Sequence, residues 1–325
     1  MSGKGSGKVM AARAAGLSAG YALDVAFADP RRHHPVALFG TLARRLEHRV
    51  YADSRGRGAA YSAALVGGTS AATLIARAGL RQLPGAGPAA VEFGLTTAAT
   101  FIALGGTSLV REGDAMAGLL DDGDLAGARR RLSHLCARDA SELTEPDLAR
   151  ATVESIAENT SDAVVAPLFW GGLLGAPGLL GYRAANTLDA MVGYRSPRFE
   201  RFGWASARLD DWLNLIPARI AAVLVFVVTG RREALSTWRR FARVHPSPNA
   251  GPVEAAYAGA LGVRLGGSNT YEGVTEKRGV LGDGRDVVIA DVARANRLSR
   301  QVSAAALFTA AGLALTIGAS RGARG

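Results

Sequence analysis

The chain of 325 residues contains a single cysteine, Cys136, which excludes an intramolecular disulfide and a thiolate metal cluster. Lysine is nearly as scarce, with only Lys4, Lys8 and Lys277, so the positive charge is almost all arginine. Aromatic residues make up 6% of the chain, and most of its 48% hydrophobic content is Ala, Leu and Val. The net charge of +10 comes without a Lys-rich tail or a basic stripe with interleaved aromatics, which argues against a nucleic-acid binder. The arginines cluster in loops between apolar runs, the pattern of membrane topology. The opening "MSGKGSGK" is too polar for a signal peptide and reads as a flexible tail over residues 1–8. It also fails as a phosphate loop, because Ser2 stands five positions before Gly7 and Val9 follows Lys8.

What is present is a set of apolar runs near residues 9–28, 59–78, 88–110, 163–182, 213–229 and 303–319. A spanning helix needs roughly 20 mostly apolar residues, so most of these qualify by length. The first run contains Arg13 and Asp24, and the fourth is interrupted by Pro167, Pro177 and five glycines. The fourth therefore reads as a broken or re-entrant helix. The expectation is an all-α, polytopic integral membrane bundle of about four to six spanning or re-entrant helices. A single catalytic domain over 9–320 carries helical loops near 29–58, 111–162 and 230–302, with a short tail at 321–325. By the positive-inside rule the Arg-rich loops face the cytoplasm. The exception, the loop 183–212, joins that face if runs four and five dip and return as a pair. Mean hydropathy of +0.12 suits such a mixture of apolar spans and polar loops. Within the loops, residues 123–143 read as one surface helix, "DLARATVESIAENTSD" as another, and residues 238–263 as helix, Pro-rich turn, helix.

Chemistry concentrates where loops meet runs. "ESIAENTSD" places Glu154, Glu158 and Asp162 at i, i+4 and i+8, one helical face directly before the fourth apolar run. Carboxylates at such a boundary are costly without a partner or a cation, and one-turn spacing suits Mg²⁺ with substrate phosphates. "YRAANTLDAMVGYRSPRF" puts Arg183, Asn186 and Asp189 on roughly one face, with Arg183 and Arg195 as an anion clamp. "RLDDWLNLIPAR" repeats the theme with Asp210, Asp211 and Asn214. "DPRRHHPVALFG" holds Asp29, Arg31, Arg32 and His34 around two X-Pro turns. "HPSPNAGPVEAA" holds His245, Glu254 and Asn249, the last of these also a natural helix cap. "GGSNTYEG", with Asn269 and Tyr271, reads as a permissive loop suited to close backbone approach.

These motifs, in this order between apolar runs, closely resemble the adenosylcobinamide-phosphate synthase family of cobalamin biosynthesis, the cobyric acid aminopropanol ligases. The resemblance runs from about Asp24 to Gly273, with Ala28 standing where Gly is expected before Asp-Pro. It implies a multi-pass enzyme of the cell membrane, its active loops facing the cytoplasm. Such an enzyme joins the carboxylate of adenosylcobyric acid to aminopropanol or its O-phosphate, using ATP with Mg²⁺. The corrinoid is then substrate rather than cofactor, and membrane lipid and other enzymes of the pathway are the expected partners. On that reading Glu154, Glu158 and Asp162 hold the metal, and Arg183 and Arg195 meet phosphates. His34, Asp189 and His245 are candidate bases for the attacking ammonium. Asp29, Arg31, Asn186, Asn249, Glu254, Asn269 and Tyr271 contact substrate. The rival readings are a membrane Mg²⁺-dependent prenyl- or phosphoalcohol transferase, which typically shows DxxxD repeats, and a non-enzymatic scaffold or transporter.

Overall fold

The computed structural model describes residues 3–30, 34–136, 139–194, 196–271 and 274–322. Among them the first four helices are α1 (Gly3–Phe27), α2 (Pro35–Val50), α3 (Arg55–Leu80) and α4 (Pro88–Ala103). Next come α5 (Gly106–Asp121), α6 (Leu125–Leu132), α7 (Glu145–Thr160), α8 (Ala166–Leu174) and α9 (Ala176–Leu188). The rest are α10 (Trp204–Thr229), α11 (Arg232–Phe241), α12 (Ala250–Leu261) and α13 (Ala290–Gly322). Two π-helical segments, Ser161–Val165 and Asp189–Gly193, follow α7 and α9 directly. One antiparallel hairpin joins β1 (Leu265–Tyr271) to β2 (Val274–Leu281).

Among the described residues, four stretches are long and apolar enough to cross a membrane: Arg55–Leu80, Pro88–Asp121, Trp204–Thr229 and Ala290–Ser320. The protein is thus a polytopic helical one, as its hydropathy pattern predicts. Of the six apolar runs, the first forms the 25-residue α1, which is not among the four. The fifth lies within the 26-residue α10, long enough to cross outright. The fourth is broken as expected, at Gly175, whose φ of +74° lies in the left-handed region.

The chain divides into two compact units. The first comprises Met1–Gly105, Ala166–Asn214 and Ala306–Gly325, and the second Gly106–Val165 and Leu215–Ala305. In the first unit α1 lies directly against α4. A Cβ on Gly16 would come 2.8 Å from the Phe93 carbonyl oxygen, and one on Gly20 would come 2.6 Å from that of Thr97. The spacing Gly16-xxx-Gly20 is the small-residue groove that lets apolar helices approach closely without bulky side chains between them. Arg13, unusual in an apolar run, donates Nε to Glu92 at 2.8 Å and Nη1 to the Leu173 carbonyl at 3.1 Å. It thereby serves a backbone group freed where α8 ends, the condition under which a broken helix persists in an apolar setting. Arg77 and Arg81 approach the same buried Glu92 at 3.6 and 3.9 Å. A second core of this unit gathers Ala43, Tyr61, Leu65, Leu188, Val192 and Phe202 beneath the junction of α9 with its π-helical segment. Ala28 has φ +55°, so the left-handed backbone before Asp-Pro explains why glycine is expected there.

In the second unit α7 starts at a capping box, with the Thr144 N–H donating to Asp147 at 3.2 Å. Most of α7 and nearly all of α12 are buried. The hydroxyl of Tyr257 donates to Thr160 at 3.2 Å, and Thr160 meets Ser299 at 2.7 Å. Two expectations change here. The surface helix read over 123–143 is only α6, because Arg129 turns back to donate to the Leu143 carbonyl at 3.1 and 3.0 Å. Residues 266–271 of the "GGSNTYEG" stretch lie in strand β1 rather than in a loop. Gly266 and Gly267, at φ +80° and +100°, sit at an irregularity between Leu265 and Gly267, after which β1 pairs in register with β2.

Candidate active site

Each unit carries its own polar cluster. In the first, His34 Nε2 lies 3.3 Å from Asp29 Oδ1. His34 itself adopts extended backbone before Pro35, which opens α2, as the X-Pro rule requires. Burial lowers its pKa and Arg183 lowers it further, against the opposing pull of Asp29. His34 is therefore held neutral at lower pH than a free imidazole, the state a general base needs. If His34 is that base, the acid limb of kcat/KM falls below the ordinary imidazole pKa of about 6.5. Asp29→Asn, which removes the one raising influence, is expected to move that limb to lower pH. A limb that stays put in a pH–rate profile would assign it to another group.

Arg183 and Asn186, read on one face, are in contact, and the network continues to residues beyond that face. Arg183 donates to Asn186 at 3.3 Å, and Asn186 donates to Asp210 at 3.3 Å. Asn214 donates to the other Asp210 oxygen at 3.0 Å and accepts from the Tyr182 hydroxyl at 2.9 Å. Asp210 and Asn214, seen in the sequence only as a recurring theme, thus join the Asn186 network, and Tyr182 is an addition. Asp189 opens the second π-helical segment, where its carboxylate occupies the space that a Cβ on Gly193 would fill. Arg31 and Arg195 lie outside the described residues.

In the second unit the acidic stripe divides. Glu154 is buried and accepts the Gly266 N–H at 2.7 Å, with Arg150 Nε 3.8 Å away. It fastens the root of the hairpin to α7. Glu158 and Asp162 are half-buried. Asp162 falls in the first π-helical segment, whose i→i+5 pairing departs from the 3.6-residue register assumed for the stripe. Among the described residues no group of three or more His, Cys, Asp and Glu is gathered as a metal site. Mg²⁺ asks for no more than one or two carboxylates, with water and phosphate oxygens completing its shell, and Glu158 and Asp162 are the half-buried carboxylates of the stripe.

His245 and Glu254 form a buried pair 3.6 Å apart, their side chains 1% and 2% exposed. The Ser247 N–H donates to His245 Nδ1 at 3.0 Å. The Ser247 carbonyl oxygen lies 3.3 Å from the same ring nitrogen, while Nε2 faces Glu254. Asn249 does not cap α12. Its Oδ1 accepts from Arg219 at 2.9 Å, while Ser247 Oγ takes the N–H groups of Asn249 and Ala250 at 3.2 and 3.1 Å. Asn269 and Tyr271 lie on β1, with side chains outside the described set. Arg150, Arg219 and Ser247 were not singled out from the sequence. Of these only Arg150 left a local signal, four residues before Glu154.

Acids, amides and arginines at the ends of apolar helices, two of the acids in π-helical turns, define a polytopic helical membrane protein with buried polar sites. Residues 17–299 match the family described as CobD/Cbib protein, and the chain belongs to that family. It is 52% identical over 304 residues to "Cobalamin biosynthesis protein CobD" of Mycobacterium tuberculosis, covering 92% of this chain and 95% of the relative. It is 43% identical over 290 residues to the protein of the same name from Rhodobacter capsulatus, covering 88% of each. The protein so named from Chromobacterium violaceum is 42% identical over 276 residues, 85% of this chain and 88% of the relative. No solved structure matches.

Proposed function

We propose that this protein is an enzyme of cobalamin biosynthesis that joins the carboxylate of adenosylcobyric acid to aminopropanol or its O-phosphate at the expense of ATP. The observation that carries the reading is the family match over residues 17–299, which spans every motif named above. A free carboxylate is a poor acyl donor, so phosphoryl transfer from ATP makes an acyl phosphate. The amine nitrogen then attacks its carbonyl carbon, the C–O bond to phosphate breaks and inorganic phosphate leaves. Such chemistry needs positioning and charge neutralisation more than covalent help from the protein.

On the second unit, Glu158 and Asp162 would hold Mg²⁺, which neutralises phosphate charge when bound. Arg219, oriented by Asn249, adds a cation. His245 and Glu254 are too buried to meet an ammonium and act as a positioning pair at the start of α12. On the first unit, His34 takes the ammonium proton, and Asp29, Asp189 and Asp210 supply the negative charge that attracts the amine. Asn186, fixed by Arg183, orients it. The active loops face the cytoplasm, where ATP is available.

Purified protein in detergent, given adenosylcobyric acid, ATP, Mg²⁺ and each amine in turn, is expected to yield the amide with one ADP per product, read by mass. Absence of amide with both amines, from protein that is folded, would sink the ligase reading.

A further inference from the structure

Between α2, α3, α4 and α9 in the first unit lies a half-open pocket of about 190 Å³. Pro35, Val36, Phe39, Ile102 and Leu180 give it a carbon lining, and among the described residues lining it Arg183 is the charged one. Its polar groups are few and engaged. The hydroxyls of Thr69 and Thr187 donate within their own helices, to Leu65 at 2.8 Å and Arg183 at 2.7 Å. A nucleotide base would find almost nothing here to read its edges, and a corrinoid is far too large. Thr69 lies on α3 and Ile102 on the stretch Pro88–Asp121, both candidate membrane spans. Hydrocarbon is therefore the natural neighbour of the opening.

Arg183 is the charged residue at the pocket wall. Arg183 Nη1 serves Asn186, whereas its buried Nε has no hydrogen-bond partner among the described residues. A buried donor left unmade is costly, so this one calls for an acceptor, and beside a cation an anionic acceptor suits best. A second observation comes from the outer face of α2, whose first turn lines the same pocket. Leu38 and Leu42 are 55% and 57% exposed. Arg45 and Arg49 continue their stripe at i+7 and i+11 and are exposed too. An apolar stripe running into arginines is the surface of a helix lying in a membrane interface, where it meets acyl chains and anionic headgroups.

We propose that this pocket is a phospholipid site, holding one acyl chain of an anionic phospholipid whose phosphate is bound by Arg183. The site does not depend on the ligase reading. It gives a physical reason for the first unit to be held in a membrane, because the lipid-bound guanidinium is the one that fixes Asn186.

The test is lipid retention by the full chain in detergent, measured by native mass spectrometry with added phosphatidylglycerol, phosphatidylcholine or glycerol 3-phosphate. The wild type is expected to retain about one phosphatidylglycerol and to prefer it to phosphatidylcholine by about tenfold. Glycerol 3-phosphate, which has the anion without the tail, is not expected to displace it. Filling the pocket with Val36→Phe and Ile102→Phe is expected to weaken retention by about tenfold or more. Arg183→Gln leaves the pocket open and keeps a donor for Asn186. It is expected to abolish the preference for the anionic lipid, which keeps the test decisive if the filled variant folds poorly. Displacement by glycerol 3-phosphate at equal concentration would overturn the proposal in favour of a soluble phosphate. Lipid retention and preference unchanged in Arg183→Gln would overturn it as well.

Discussion

Glu158→Gln and Asp162→Asn are each expected to lower ligation per folded molecule by about 10²–10³, comparable with removing other preorganised electrostatic groups. Part of the loss is expected to return as Mg²⁺ is raised, because a weakened metal site can be offset by concentration. Both substitutions preserve shape and remove one ligand charge. Glu154, which the sequence places in the same stripe, is expected to behave differently. Its carboxylate is buried and receives the Gly266 N–H at 2.7 Å. Glu154→Gln keeps an acceptor there and is expected to retain most activity with no change in Mg²⁺ dependence. Glu154→Ala leaves the Gly266 N–H unmet, at a cost of about 1–3 kcal/mol in stability. The measurement is activity across a Mg²⁺ titration for each variant, alongside a thermal unfolding midpoint. Fully active Glu158→Gln and Asp162→Asn with unchanged Mg²⁺ dependence would remove the metal assignment without touching the family membership.

Gly193→Ala is expected to cost about 10² in kcat/KM, although it alters no titratable group. A Cβ at this position falls on the Asp189 carboxylate, so the side chain must leave its rotamer at the start of the π-helical segment. The stability cost of such overpacking is about 1–3 kcal/mol, which leaves a protein that can be assayed. Asp189→Asn is expected to lose a similar factor by removing charge instead of position. Because both changes act through one carboxylate, the double variant is expected to be little worse than either alone, the non-additivity of residues working as a unit. Two single losses that multiply in the double variant would separate Gly193 from Asp189. A Gly193→Ala enzyme with the wild-type rate would show that Asp189 needs no fixed position.

Much of this molecule is legible without coordinates because its signals are local. Apolar run length picks out all four candidate spans, and the prolines and glycines of residues 163–182 announce a broken helix. Spacing within one helix identifies the Arg183–Asn186 contact, and the X-Pro turns place His34 at the head of α2. The order of short motifs along the chain carries the family resemblance. Each of these depends on residues a few positions apart, where backbone geometry alone sets the distance.

What only the tertiary structure decided involves partners far apart in sequence. Arg13 reads as a blemish in an apolar run until it meets the carbonyl of Leu173, 160 residues away, at the break beside Gly175. Glu154 reads as the first of three metal ligands until Gly266, 112 residues on, claims its oxygen. Asn249 reads as a helix cap until Arg219 takes its carbonyl and Ser247 does the capping. In each case a polar group has several chemically acceptable partners, and the local spacing does not rank them. Burial does, because a buried donor or acceptor must be matched by whatever the fold brings within 3 Å or so, however distant it is along the chain.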